Sequence, residues 1–355
     1  MKRILLGSAA MMTTMAFAYP ALAQVELSIS GSTDFQAGWV DEDGSGTDAE
    51  RDYDFRQEGV IQFNADGVAD NGLEYGAEIE FDDVASDEGV EVDEQWLYVS
   101  GGFGEIRLGD KDGADANFAV TAPLAGSGGF DGDYGEFMLG NAGSYLLDTN
   151  DALDDSDATR IQYYTPKLGG FQGGISYAAA DASGKDGADD RTADGSDIGN
   201  LIELGANYGV ALGGFDIVAG AGYVFGEGTN DLDGEGDHNG YQAGVNVGFG
   251  GFTVGAAYVL MDDLTSTLDE EQTIQVGATY ELAAWTVGAT AAFDTREWDA
   301  GGEADTDIYT LNADYKLAPG LTLYSDLSFV DAEATPGADN ANEATVFLVG
   351  TSVAF

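Results

Sequence analysis

No cysteine occurs anywhere in the chain, and histidine occurs once. Without thiols there is no disulfide framework, no thiolate nucleophile and no zinc–thiolate centre. Without a second histidine, catalytic triads and multi-histidine metal sites are excluded as well. Positive charge is scarce: 12 Lys and Arg stand against 65 Asp and Glu, a formal net charge of −53. Such a chain repels the phosphate backbone, so nucleic acid is excluded as a partner. Beyond the N-terminus, no segment offers 18 uninterrupted apolar residues, which rules out a transmembrane helix. What is present is the material of a folded body. Apolar residues make up 44%, aromatics 11% and charged residues only 22%, unlike a disordered acidic chain. Glycine, at 53 residues, is about twice its usual share and points to many tight turns and strands.

The first 23 residues have the make-up of an export signal. Lys2-Arg3 is a basic start, Ile4 to Ala18 is apolar apart from Gly, Ser and Thr, and Ala21-Leu22-Ala23 supplies small residues for cleavage. The apolar core spans 15 residues, short of the about 20 a membrane-spanning helix needs. The mature chain is therefore expected to be exported and to run from Gln24. Loss of Lys2 and Arg3 takes its formal charge from −53 to −55.

The mature chain alternates with period two. From Phe215, the residues Ile217, Ala219, Ala221, Tyr223 and Phe225 share one parity. From Phe252, the set is Val254, Ala256, Tyr258 and Leu260; from Trp285, it is Val287, Ala289, Ala291 and Phe293. Alternation over nine or more residues specifies strands with one apolar face. Their length suits a tilted strand crossing a bilayer, and aromatics sit at the run ends, where an interfacial girdle needs them.

The runs also repeat. Short turns precede apolar strand starts at Leu73, Phe103, Phe171, Phe215, Phe252, Trp285 and Leu321, at intervals of 30, 68, 44, 37, 33 and 36 residues. Each interval holds a hairpin pair with a short turn and a long acidic connection; the 68-residue interval carries roughly 30 extra residues. Seven short turns, with one strand before and one after, give sixteen strands. The fold class read here is all-β: a closed transmembrane antiparallel β-barrel of 16 strands, since no open sheet edge survives in hydrocarbon.

The last strand ends on Phe355, with Phe347, Val349, Thr351 and Val353 on the same face. A terminal Phe after alternating apolar residues resembles the assembly signal of outer-membrane barrels. Gly101-Gly102-Phe103-Gly104-Glu105-Ile106-Arg107-Leu108-Gly109 and Arg160-Ile161-Gln162-Tyr163-Tyr164-Thr165-Pro166 resemble the general diffusion porins of Gram-negative bacteria, alphaproteobacterial type. The resemblance covers the mature chain, 24–355. It implies a homotrimeric pore in the cell outer membrane, whose third loop, here 111–158, folds into the lumen as a constriction. It further implies contact with outer-membrane lipid and lipopolysaccharide, insertion by the barrel-assembly machinery with Phe355 as signal, and passage of small hydrophilic solutes.

Parity orders the lumen. Phe55, Gln57, Ile61 and Phe63 facing out puts Arg56 and Glu58 inside; Ile106 and Leu108 out puts Glu105 and Arg107 inside; Ile161 and Tyr163 out puts Arg160 and Gln162 inside. Arg56, Arg107 and Arg160, with Lys111 just beyond, are the expected basic wall of the constriction; the plainer alternative is that each Arg neutralises a nearby carboxylate. The run 92–100 stays unassigned, because Trp96 and Tyr98 compete with Leu97 and Val99 for the outer face. Loop 111–158 holds ten carboxylates and an apolar centre, Phe118 to Leu124 and Phe137 to Leu139, that a solvated loop would not need. Asp131, Asp133 and Glu136 are the expected acidic side of the constriction. Lumen-facing Glu26, Asp34, Glu58, Glu74, Glu78, Glu80 and Asp326 make cation preference the expectation, because charged rings in a pore set its ion selectivity.

One loop, Asp231-Leu232-Asp233-Gly234-Glu235-Gly236-Asp237, begins like an EF-hand, with Asp231, Asp233, Glu235 and Asp237 as oxygen donors for a structural calcium. Position twelve is Gln242 rather than Glu, and no helices flank it, so an acidic surface loop with His238 solvated is the plainer reading. No other cofactor is expected. An enzyme is not expected either, since the single His lies in that loop and no lumen Ser has a partner base. A secreted acidic calcium-binding β-protein would also be exported and alternate, but would dissolve without detergent. A substrate-specific channel would line its path with aromatic steps, for which Trp96 and Tyr164 are the inward candidates.

Overall fold

The computed structural model describes residues 25–43, 51–82, 91–127, 132–139, 158–180, 198–228, 237–262 and 268–355; the leader 1–23 lies outside the described residues. The first eight strands are Glu26–Asp43 (β1), Tyr53–Val68 (β2), Glu74–Asp82 (β3), Glu91–Gly101 (β4), Gly104–Asp110 (β5), Thr159–Tyr164 (β6), Phe171–Ala180 (β7) and Ile198–Leu212 (β8). The second eight are Phe215–Gly228 (β9), Asp237–Phe249 (β10), Phe252–Asp262 (β11), Leu268–Leu282 (β12), Trp285–Trp298 (β13), Glu303–Ala318 (β14), Leu321–Ala332 (β15) and Asn342–Ala354 (β16). Each strand pairs antiparallel with its neighbours in sequence, and β16 returns to β1, closing the barrel. The closing ladder runs from Ser32↔Ala354 to Asp43↔Glu343.

All seven expected short turns are present, and they gather at one end. Gly213-Gly214 joins β8 to β9 with φ of 63° and 91°, and Gly250-Gly251 joins β10 to β11 with 57° and 86°. These two links use the turn type with positive φ at both positions, which suits the right-handed twist of the flanking strands and which glycine reaches without a Cβ clash. The strand ends joined by the long connections lie at the other end.

The outward face is apolar and exposed: Leu27 is 79% accessible, Ile161 61% and Phe55 60%. A protein surrounded by water would not leave so continuous an apolar surface uncovered, whereas a barrel in hydrocarbon requires it. Aromatics flank this belt. Near the short turns Phe249 stacks on Phe252 at 5.8 Å, Phe252 meets Tyr280 at 4.3 Å and Trp285 meets Tyr315 at 4.7 Å. Nearer the long connections, Trp39 and Phe347 lie 5.9 Å apart and Tyr223 and Tyr241 5.1 Å apart.

The unassigned run 92–100 resolves into a bulge between Val92 and Gln95 followed by a regular strand. Ile79 pairs with Gln95 but Phe81 with Val92, so β4 has one residue too many there, and its alternation changes phase. Val92, Leu97 and Val99 are exposed on the outer face, and Trp96 and Tyr98 turn inward to hydrogen-bond Glu78 and Asp66.

Phe355 continues the closing ladder, donating to and accepting from Gly31 at 3.0 Å in both directions. Deleting Phe355 removes both bonds and the terminal ring together. The expected result is a sharp fall in heat-modifiable, folded barrel on unheated denaturing gels.

Candidate functional site

Inward-facing side chains divide the barrel wall into two zones. The division is made by the connection between β5 and β6, whose described parts are 111–127 and 132–139. It carries one short helix, Ala114–Phe118 (α1), and a 3-10 turn, Asp133–Phe137. α1 contacts β7, β8 and β9, and the 3-10 turn contacts β1 and β16.

A succession of polar side chains on the wall holds this segment along its course. Ala114 N–H donates to Ser176 Oγ at 2.9 Å, and Ser176 in turn donates to Glu203 at 2.8 Å. Gln242 donates to Asp115 and Asn246 to the Thr121 carbonyl, both at 3.0 Å. Three successive amides then meet the wall: Ala125 at Asn312, Gly126 at Asp314 (2.7 Å) and Ser127 at Asp326 (3.1 Å). Asp133 ends the course on Gln36 of β1 and Arg56 of β2. The apolar centre supplies the packing: Phe118 rests on Tyr164 at 5.5 Å, and Tyr134, Phe137 and Met138 form a buried cluster with Ile308, Val330, Val346 and Leu348. Leu124 and Leu139 depart from the expectation and stay exposed.

The inward faces of β1 and β6–β16 are consequently buried where the segment covers them, while those of β2–β5 keep partial access except at Glu94, which is buried. On this open wall Arg56 contacts Glu58, and its guanidinium reaches Asp133 at 3.4 Å and Glu136 at 3.6 Å. It thus bridges the wall and the covering segment. Arg107 pairs with Glu105 at 2.6 Å and donates to Asn117 at 3.1 Å. Its guanidinium carbon stands 4.6 Å from the Tyr164 ring centre and 5.0 Å from that of Trp96, an aromatic clamp that fixes a charge. Lys111 pairs with Glu94 and lies 5.5 Å from Trp96. Glu78, Glu80 and Glu94 offer oxygens within 4.8 Å of one another, which concentrates negative potential beside these cations.

Arg160 requires a correction: it does not line open space. It is 2% exposed and ion-paired with Glu203, itself 1% exposed and linked through Ser176 to the Ala114 amide that starts α1. The plainer alternative, neutralisation of a wall carboxylate, describes it. Glu203 was legible in principle, because the outward Ile202 and Leu204 force it inward. The same parity extended past Asp294 reaches Arg296, which pairs with Glu271 at 2.9 Å and Asp294 at 3.5 Å. Asp131, Asp231, Asp233 and Glu235 lie outside the described residues. Asp237 opens β10 opposite Glu227, and His238 is buried at 3% rather than solvated, because it falls on the inward parity of β10.

A family model described as Gram-negative porin matches residues 7–335. No curated protein matches the sequence at a significant level. Among solved structures, the chain is similar to Salmonella typhi OmpF in complex with daunomycin, with TM-score 0.68 and 16% identity over 93% of this chain and 97% of that one. It is similar to the trimer form of OmpT from Vibrio cholerae, with TM-score 0.65 and 17% identity over 93% and 99%. An anion-selective porin from Comamonas acidovorans gives TM-score 0.64 and 18% identity over 94% and 100%. At such identities the likeness establishes the fold.

The buried pair makes a checkable statement about stability. Arg160→Met alone strands the Glu203 carboxylate, and removal of one partner from a buried pair costs about 3–5 kcal/mol. Arg160→Met with Glu203→Leu is expected to regain most of that loss, read as the urea midpoint of the refolded barrel in detergent.

Proposed function

The chain belongs to the Gram-negative porin family, whose members are outer-membrane diffusion pores, and we propose that this one admits small hydrophilic solutes and ions with a preference for cations. The aperture lies between the open wall of β2–β5 and the segments 111–127 and 132–139, folded into the lumen as a constriction. One observation carries the reading. Arg56, Arg107 and Lys111 face Glu58, Glu78, Glu80, Glu94, Glu105, Asp133 and Glu136, three cations against seven carboxylates, and each cation is already engaged by a carboxylate. The residual field is negative. At about 0.1 M salt the Debye length is ~10 Å, comparable with the width of such an aperture, so the field reaches an ion crossing it.

The cationic side of this constriction is Arg56, Arg107 and Lys111, and the acidic side is Asp133 and Glu136, with Asp131 beside them in sequence. A substrate-specific aromatic path has less support. Tyr164 is 3% exposed, and Trp96 is flanked by Arg107 and Lys111, which leaves little ring surface for a solute. No catalytic chemistry is assigned to the lumen. The assembly we infer is a homotrimer joined through the outer faces of β1, β2 and β16, where Phe35 stacks on Phe55 and Trp39 on Phe347. Support comes from the family and from the trimer form in which the Vibrio cholerae barrel is described. The short turns would face the periplasm and the acidic connections the exterior.

The test is the reversal potential of the reconstituted protein in a planar bilayer across a salt gradient. Cation preference is expected, fading as the salt concentration rises. Asp131→Asn with Asp133→Asn lowers it, and Arg107→Ser raises it. Arg160→Met with Glu203→Leu leaves it unchanged, because that pair is neutral and buried. Anion preference at low salt would overturn the reading.

A further inference from the structure

Four inward-facing glycines sit under the covering segment, one on each of β8, β9, β10 and β12. A methyl group added at Gly205 would lie 2.0 Å from the Ala114 carbonyl oxygen, and one at Gly220 2.3 Å from that of Phe118. At Gly244 it would lie 1.7 Å from the Val120 carbonyl oxygen, and at Gly277 2.4 Å from that of Pro123. None of the four has positive φ, so backbone conformation does not demand glycine. Glycine within a strand weakens it and commonly marks a place where another backbone approaches closely. Here that backbone is 114–123 of the same chain.

The glycines are aligned across strands. Gly220 pairs with Gly244, and Gly277 with Gly255; Gly205 pairs with both Gly174 and Gly222. On β10 the inward residues on either side of Gly244 are Gln242 and Asn246, the two amides that bond Asp115 and the Thr121 carbonyl. The glycine forms a seat and the amides hold the segment in it. The barrel supplies its own contrast. Gly209 and Gly248 lie on the same inner faces of β8 and β10, four residues nearer the short turns. A methyl group at Gly209 would meet nothing within 4 Å, and one at Gly248 would meet nothing nearer than 3.6 Å.

We propose that Gly205, Gly220, Gly244 and Gly277 form a groove in the inner wall that sets how deeply segment 114–123 is recessed, and that they thereby determine the width of the aperture. The proposal rests on the pore reading above. A side chain in the groove drives the segment off the wall toward the open lumen, because the strand behind it is held on both sides by ladder hydrogen bonds and cannot yield.

The experiment compares Gly244→Ala and Gly205→Ala with Gly248→Ala and Gly209→Ala in the full-length, refolded protein. Single-channel conductance in a planar bilayer is expected to fall for the first two and to match the unsubstituted protein for the second two. Equal conductance across all four would overturn the groove. A second reading is the temperature at which the folded form is lost on denaturing gels. Gly244→Ala should lower it relative to Gly248→Ala, and the difference should vanish when residues 114–126 are deleted. A difference that survives the deletion, or a failure of Gly244→Ala to assemble that the deletion does not relieve, would show that the barrel itself needs the glycine, and the groove would fall. This arm needs no conduction. An unsubstituted protein that folds but passes no current would sink the pore reading, leaving the groove to be judged by the gels.

Discussion

In hydrocarbon an unpaired backbone amide or carbonyl has no water to turn to, and each costs several kcal/mol. The ladder between β1 and β16 follows from that constraint, and much else follows from the ladder. Closure leaves no edge, fixes the strand count as even and brings both ends of the sheet to the side of the short turns. Once the sheet is closed, strand parity has only two destinations. One set of side chains must be apolar enough for lipid, as the exposed Leu27, Phe55 and Ile161 are, and the other set is left to line the interior.

The interior is not uniform, because one connection lies against most of it. Polar wall residues take up backbone amides that the segment, irregular beyond a helix of only five residues, does not satisfy itself. Asn312, Asp314 and Asp326 each accept one N–H from Ala125, Gly126 and Ser127 in turn. Covering β6–β16 in this way buries Arg160, Glu203, Gln242 and Asp326 and removes them from contact with any permeating ion. In the proposed reading, ion preference is thereby left to the uncovered strands. There every cation is tied to a carboxylate, and Arg107 is further immobilised between two rings.

Acidity therefore acts in two distinct ways in one molecule. Buried carboxylates such as Glu203 and Asp326 are structural, since they hold the covering segment and are matched by Arg160 or by backbone amides. Wall carboxylates such as Glu58, Glu78 and Glu105 retain solvent access, and in the proposed reading their excess over Arg56, Arg107 and Lys111 gives the negative field. The charge of the chain as a whole does not separate these roles; burial does.

Strand number, the seven short turns, the outer belt and the inward direction of Arg56, Arg107 and Arg160 were all legible in the sequence, because each depends on period-two patterning or on local turn chemistry. The family was legible from the terminal Phe355 and the two motifs flanking the longest interval. Where the pattern was ambiguous, at 92–100, a bulge shifts the phase before Gln95 and two large aromatics, Trp96 and Tyr98, face inward to carboxylates of strands the sequence does not name as partners. Tertiary structure alone decided which inward residues stay in contact with water. Arg107 and Arg160 both face inward on adjacent strands, yet one is clamped at an open wall and the other is buried against Glu203. That difference arises from the course of residues 111–127 and 132–139 across the barrel, set by contacts between positions more than a hundred residues apart, such as Asn312 with Ala125 and Gln242 with Asp115. Local periodicity carries no information about such pairs, because they are chosen only when the closed wall presents its glycines and amides to the segment that crosses it.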